Sequence, residues 1–335
     1  MAFPLFRLPL LVIKLILETM GFIDMFVLTR TSSKTKRVFE RLVTIRNHEL
    51  ILFLESTGFV FDLQTKSGVA VGCQIFLRPT ENQPDDVFML KIGSTDVASA
   101  LTNKNGRIIL SIYSDTCMYT ETQLVNALRE VFKMPLQEME MRLDNVAVET
   151  YHSWITWNNT MFYDIPGLHF AGKCSFSAYI WILKHVRTRH VLNFVLEPTE
   201  YENNAEIFEI QTDEEIFIDH GRWINDAAQL NSIKARDITI KDVSLSDTEI
   251  NTFLKNWRDS GVASGWKQLN IHFNGEADLD VVLEGIDGTD EDLNLPAGVI
   301  HQFDFNSTNG EKCTVYYVLN NPDALIFGFE FHFGN

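Results

Sequence analysis

The spacing of apolar positions changes character along the chain, and it is least ordinary at the start. From Leu8 to Met20, Leu10, Ile13, Leu17 and Met20 make one stripe at helical spacing. Leu11, Val12, Leu15 and Ile16 cover most of the remaining circumference, and only Lys14, Glu18 and Thr19 are polar. Pro9 suits a first helical turn, where its missing N–H costs nothing. A surface helix hides one stripe, whereas a helix apolar nearly all round must be covered on two sides. The opening forty residues cannot supply both covers, so a partner protein is expected to supply one.

A break at Met20-Gly21 follows. A second helix is predicted through Phe22, Ile23, Phe26, Val27 and Leu28, then Thr31-Ser32-Ser33-Lys34, then a basic third helix from Lys34 to Leu42. With the Leu8-Pro9 opening, this segment resembles an F-box. The phrase FPLFRLPLLVIKLILETM is similar to the opening of a large nematode F-box family that carries a type 2 F-box-associated domain downstream. Phe39 stands in the region where usual F-boxes have Trp, which suits the nematode branch. The resemblance implies binding to a Skp-type adaptor protein and through it to a cullin ligase. The contacts it suggests are Leu8, Pro9, Ile13, Ile16, Leu17, Met20, Leu28 and Lys34. Some of these must instead build the module's own core. Arg7 and Lys14 interrupt the apolar run well short of the roughly 20 residues of a spanning helix. Gly21-Phe22-Ile23 is a poor leader-cleavage site.

After the helices the pattern turns to strands. Leu50–Leu54 and Phe59–Leu63 flank Ser56-Thr57-Gly58, a hairpin signal. Val69–Leu77, Val87–Ile92 and Arg107–Tyr113 follow, and Asn105-Gly106 marks another tight turn. The expected divisions are therefore an F-box at 1–45, a β-rich and antiparallel section at 46–116, and an α/β domain at 117–335.

In that last part helices and strands alternate, which points to β-α-β units and a parallel sheet. Thr120 with Gln123, and Ser246 with Glu249, read as capping boxes, the second with Leu245 and Ile250 as a hydrophobic staple. Helices are expected over about 149–158 and from Ser175. The phrase Leu136-x-x-Met139-x-Met141 recurs as Ile165-x-x-Leu168-x-Phe170 and Trp266-x-x-Leu269-x-Ile271-x-x-Asn274. Looser copies set Leu192/Phe194, Ile216/Ile218 and Ile238/Ile240 at the matching positions. The steps fall near the 20–29 residues of leucine-rich repeats, although the repeat Asn is mostly missing. A degenerate leucine-rich-like solenoid and an ordinary α/β domain both remain open. The fold class is mixed α/β, closed by a hairpin around Asn309-Gly310.

Trp223, Leu230, Ser232-Ile233-Lys234, Ile238-Thr239-Ile240 and LSDTEINTFLKNW, with Asn251, Phe253, Leu254, Lys255 and Trp257 in order, resemble the type 2 F-box-associated domain of the same family. That region spans about 210–275.

Charge divides the chain. The formal net charge is −17, yet residues 1–50 hold eight Lys/Arg against four Asp/Glu, and residues 191–335 hold eight against twenty-seven. The acidic final third disfavours nucleic acid. It suggests locally basic targets, with Glu197, Glu200, Glu202, Asp290, Glu291 and Asp292 as contributors. Cys73, Cys117, Cys174 and Cys313 lie far apart with no ligand spacing, so reduced thiols and a cytoplasmic or nuclear setting are expected. No nucleophile, phosphate-loop, zinc or dinucleotide motif is present. Asp287–Asn294 departs from a calcium loop, because Gly298 falls where the acid belongs. Asn158-Asn159-Thr160 and Asn306-Ser307-Thr308 match the glycosylation sequon, a short pattern that chance supplies. His332 is expected to face solvent on a strand.

The sequence thus suggests a non-catalytic substrate adaptor of an SCF-type E3 ubiquitin ligase, with no cofactor or metal, no nucleic acid and no membrane. The alternative is an F-box-bearing interaction scaffold with no role in ubiquitin transfer.

Overall fold

The computed structural model describes residues 7–42, 48–56, 58–65, 70–115, 117–133, 135–161, 164–201, 206–260, 265–273, 277–290, 299–318 and 324–330. The fold is mixed α/β and divides into two compact units, Met1–Arg142 and Leu143–Asn335. Glu202, Asn274, Glu291, Asp292, Gly298 and His332 lie outside the described residues.

The first unit opens with three ten-residue helices: α1 (Leu10–Thr19), α2 (Phe22–Thr31) and α3 (Ser33–Leu42). Pro9 ends up just outside α1, as its cap, and its carbonyl accepts from the N–H groups of Val12 and Ile13. Ser32 caps α3, its Oγ accepting from Thr35 N at 3.1 Å. Then come β1 (His48–Glu55), β2 (Gly58–Thr65), β3 (Ala70–Arg78), β4 (Phe88–Ile92), β5 (Thr95–Lys104), β6 (Arg107–Tyr113), α4 (Cys117–Phe132) and β7 (Leu136–Arg142). Strand order is β7-β1-β2-β3-β6-β5-β4. Gly58 makes the β1–β2 turn at φ +126°, and a Cβ there would collide with the Leu77 carbonyl oxygen.

One expectation for this region is corrected. The β-rich section is not purely antiparallel, because β3 runs parallel to β6. β1 also pairs in parallel with β7, and the first unit runs through α4 and β7 to Arg142. β5 was not anticipated. Its Thr-Asp-Val-Ala-Ser-Ala-Leu run lacks clear alternation, and it is held by the Asn105-Gly106 turn, which pairs Lys104 with Arg107. The Thr120/Gln123 capping box does not form either. α4 starts earlier, at Cys117, and Thr120 Oγ1 shares a 2.8 Å hydrogen bond with Ser114 Oγ.

The second unit comprises α5 (Val148–Met161), β8 (Gly167–Cys174), α6 (Phe176–His185), β9 (Val191–Pro198), β10 (Ile210–Gln211), β11 (Glu215–Ile218), α7 (Ala227–Asn231) and β12 (Ile233–Lys234). It continues with β13 (Asp237–Val243), α8 (Asp247–Ser260), β14 (Gln268–Phe273), α9 (Leu279–Val282), β15 (Thr289–Asp290), β16 (Val299–Asn306), β17 (Lys312–Val318) and β18 (Ala324–Glu330). β8-β9-β11-β13-β14 are parallel in chain order. The antiparallel set β18-β17-β16-β15 then extends β14. The sheet is therefore mixed, wider than a parallel block closed by a single hairpin. β10 and β12 form a separate parallel pair.

The repeat positions read from the sequence are register partners. Leu168, Leu192, Ile216, Ile238 and Leu269 stand side by side across the five parallel strands. So do Phe170, Phe194, Ile218, Ile240 and Ile271. All ten are buried. Alternate side chains point to opposite faces of a strand, so equal spacing of the apolar pair in each copy fixes one continuous core layer.

Candidate protein-docking site on the N-terminal helices

Helices α2 and α3 pack on each other and on α4. Phe22, Ile23 and Phe26 of α2 and Phe39 of α3 are buried, and α2 stacks against α4 through Phe22 and Phe132, whose ring centroids lie 4.5 Å apart. Lys36 of α3 pairs with Glu130 of α4 at 2.5 Å and with Glu40 at 3.8 Å. These contacts fix α2 and α3 on the first unit's sheet side and leave α1 as the outer helix.

α1 is split lengthwise. Ile13 is 4% exposed and Leu17 0%, so both belong to the module's core. Leu10 is 63% exposed, Leu11 69%, Val12 38% and Leu15 54%. Around them lie exposed Pro9 and half-buried Leu8, with Lys14 and Glu18 forming a 3.7 Å i,i+4 pair at the margin. Isolated exposed leucines are ordinary; a contiguous apolar helix face is an interaction signal. Covering the exposed parts of these four side chains is worth about 3–7 kcal/mol before the cost of association, at the usual 1.5–3 kcal/mol per fully buried side chain.

The suggested contacts therefore separate. Pro9 and Lys34 are exposed and Leu8, Ile16, Met20 and Leu28 are half-buried, while Ile13 and Leu17 face inward. Leu10 departs from the predicted stripe and lies bare. Leu10, Leu11, Val12 and Leu15, which the suggested set leaves out, are the exposed apolar side chains of α1. The signal was present as the apolar girdle around the helix, but periodicity does not say which side the module itself covers.

The residues that carry the second resemblance are structural. Trp223, Leu230, Ile233, Ile238, Ile240, Phe253, Leu254 and Trp257 are all buried. Asn251 is buried too, and its Nδ2 donates to the carbonyls of Val282 and Glu284 at 2.8 and 2.9 Å, tying α8 to α9. The Ser246/Glu249 box is half formed. Ser246 Oγ accepts from Glu249 N at 3.2 Å, but Glu249 Oε2 accepts from Ala227 N at 3.1 Å and so anchors α7 instead.

The histidines at the end of α6 also find partners. His185 stacks on Trp181 with centroids 4.1 Å apart, and His152 covers Trp181 from a 3.6 Å separation. His190 Nδ1 lies 3.0 Å from Glu214 Oε1, a hydrogen bond that raises the imidazole pKa. Asn158, first residue of a sequon, is fully buried and donates to the Arg187 carbonyl, which leaves no room for a glycan. Burial pushes the Cys174 thiol up to about 12 and Cys313 well above its ordinary range, so neither is an activated nucleophile. A shallow cavity of about 510 Å³ is lined by Ile207, Phe208, Glu209, Asn231, Lys234 and Asn256. Among the described residues, no group of three His, Cys, Asp or Glu could hold a metal ion, and no helix is long and apolar enough to cross a membrane.

No protein-family model matches the chain, and no curated protein or solved structure matches it.

Proposed function

We propose that this chain is a non-catalytic substrate-recognition adaptor of a cullin-based, SCF-type E3 ubiquitin ligase, of the nematode kind that joins an F-box to a type 2 F-box-associated domain. Helices α1 to α3 are the F-box and bind a Skp-type adaptor. The second unit binds a target protein and holds it near the ubiquitin-charged conjugating enzyme, so the chain supplies proximity and no chemistry. The observation that carries the reading is the bare apolar strip Leu11-Val12-Leu15 on a helix whose other side, Ile13 and Leu17, is buried. It is joined by the Leu8-Pro9 opening and by Phe39 in the core of the third helix. In this reading the five in-register parallel strands are a degenerate leucine-rich-like solenoid, in which each strand adds one layer to the core.

Co-expression with a Skp-type adaptor tests the proposal. The native chain co-purifies with it, and Leu11→Asp with Leu15→Asp abolishes capture while the chain stays folded. Undiminished capture by the folded double variant would refute the reading. Ubiquitin transfer to a captured target then distinguishes a ligase adaptor from a scaffold.

A further inference from the structure

Helices cover one face of the second unit's sheet. Tyr179 of α6 reaches Phe194 and Trp257 of α8 reaches Phe305, with centroids 4.9 and 5.6 Å apart, and both phenylalanines lie on the buried face. On the opposite face one register row crosses the strands. Asn193, Phe217, Thr239 and Asn270 are successive ladder partners, and Ile326 and Tyr316 continue the row onto the antiparallel strands. All six side chains are half-buried. At about 4.8 Å per strand the row runs about 24 Å. It offers amide, hydroxyl, aromatic and aliphatic groups on rigid strands. Asn270 Nδ2 donates to Thr239 Oγ1 at 3.0 Å, so the row is already ordered. Lys241, whose Nζ lies 4.8 Å from the Phe217 ring centroid, has its charge met by Asp219 at 2.9 Å.

The margin of this face at the strand starts is acidic by two formal charges. Asp164, Asp213, Glu214, Glu215 and Asp237 stand there against Arg189, Arg236 and Lys267, with His190 held by Glu214 and Asp164. Both arginines are engaged, Arg189 with Asp213 and Asp164 and Arg236 with Asp237. Residues 143–335 as a whole hold 30 Asp/Glu against 12 Lys/Arg.

We infer that this open sheet face is a docking surface for an extended, basic peptide segment of a partner protein, laid across the strands with its cationic side chains toward the acidic margin. The inference rests on the reading that the second unit recognises a target, and it names the face and the chemistry. Complementary charge speeds encounter and rejects acidic partners, while the aromatic and amide row supplies the contacts that hold.

A random 12-residue peptide library displayed on phage, panned against the full chain, tests this. The enriched peptides are expected to be net positive. Binding of an enriched peptide should weaken tenfold or more in Phe217→Ala with Asn270→Ala, and comparably in Asp213→Lys with Glu215→Lys. It should persist in Asp280→Lys with Glu284→Lys, a charge reversal of equal size away from the face, and in Leu11→Asp with Leu15→Asp. Enrichment of neutral or acidic peptides, no enrichment, equal loss in the off-face reversal, or indifference to the face substitutions overturns the inference. So does a self-association of the chain that the face substitutions abolish. Adaptor capture measured on the same variants separates the two readings. Lost capture by the native chain removes the F-box proposal and leaves the peptide result standing; retained capture with no peptide selected removes only the docking surface.

Discussion

Ile13 and Leu15 stand two positions apart on α1 and on opposite sides of the module's boundary, the first 4% exposed and the second 54%. Substitutions at neighbouring apolar positions of this helix therefore report on different things. Leu17→Ala removes part of a fully buried side chain and should cost about 3–5 kcal/mol of stability. Leu15→Ala should change stability by no more than about 0.5 kcal/mol. Chemical denaturation of both variants checks this. A charged residue at Leu17 would unfold the module before it could report on docking, which is why the docking test uses Leu11 and Leu15.

The bare strip also governs behaviour in isolation. The chain alone should self-associate as its concentration rises, and co-expression with a Skp-type adaptor should suppress this. Leu11→Lys with Leu15→Lys should give a monodisperse chain without a partner. Light scattering of the two proteins decides; an isolated native chain that stays monomeric at high concentration would count against an uncovered helix face.

Glu121 of α4 is fully buried, and neither carboxylate oxygen finds a hydrogen-bond partner among the described residues. Burial holds its pKa well above the ordinary range. Above the unfolded pKa, the native state then binds more protons at this site than the unfolded chain does. Stability therefore falls as pH rises from about 4 toward the raised native pKa. Glu121→Gln removes that slope. Its melting temperature should match the native chain's near pH 4 and exceed it increasingly up to pH 8. Parallel curves across that range would show that the carboxyl is not held protonated.

Asn251 satisfies two backbone carbonyls of the α9 segment at once. Asn251→Leu leaves both carbonyls without their donor and should cost about 2–6 kcal/mol, at 1–3 kcal/mol for each buried group left unsatisfied. Hydrogen exchange should localise the loosening to residues 279–286 before the rest of the unit opens.

His190 titrates under the pull of Glu214. Its raised pKa means that the interaction stabilises the fold fully below the unfolded value near 6.5 and is lost as pH rises through the native one. Glu214→Gln should lower the imidazole midpoint in a proton NMR titration, whereas Asp164→Asn, at a 3.4 Å contact, should move it less.

Much of the architecture was legible because each signal had one physical source. The apolar pairs at Leu168/Phe170 and Ile238/Ile240 could be read as strands, since a two-residue period buries only one face. Asn105-Gly106 announced its turn because both residues take positive φ. What escaped was set by distant partners. Nothing local in Leu136–Arg142 says that it pairs with β1, a strand made some eighty residues earlier. Glu249 looked like half of a capping box and instead holds α7, because Ala227 N competes for the same carboxylate. The exposed apolar strip of α1 was half legible. The sequence showed that α1 carried more apolar surface than one neighbour could cover, but the side left bare is set by which side packs inward, and that is the side of Ile13 and Leu17.

The sheet of the second unit has a consequence for the order of its own completion. Strands β9, β11, β13 and β14 each lie beside the strand of this sheet made just before them, so every new one adds to an existing edge as the chain is synthesised. β18 breaks that rule, for it is last in sequence and sits between β14 and β17. Until residues 324–330 emerge, the growing molecule carries two unsealed β-edges, ready templates for pairing with another copy. A chain that stops before Ala324 would thus turn a closed seam into a nucleus for aggregation, and cells would experience the lost strand as insolubility rather than as a missing contact.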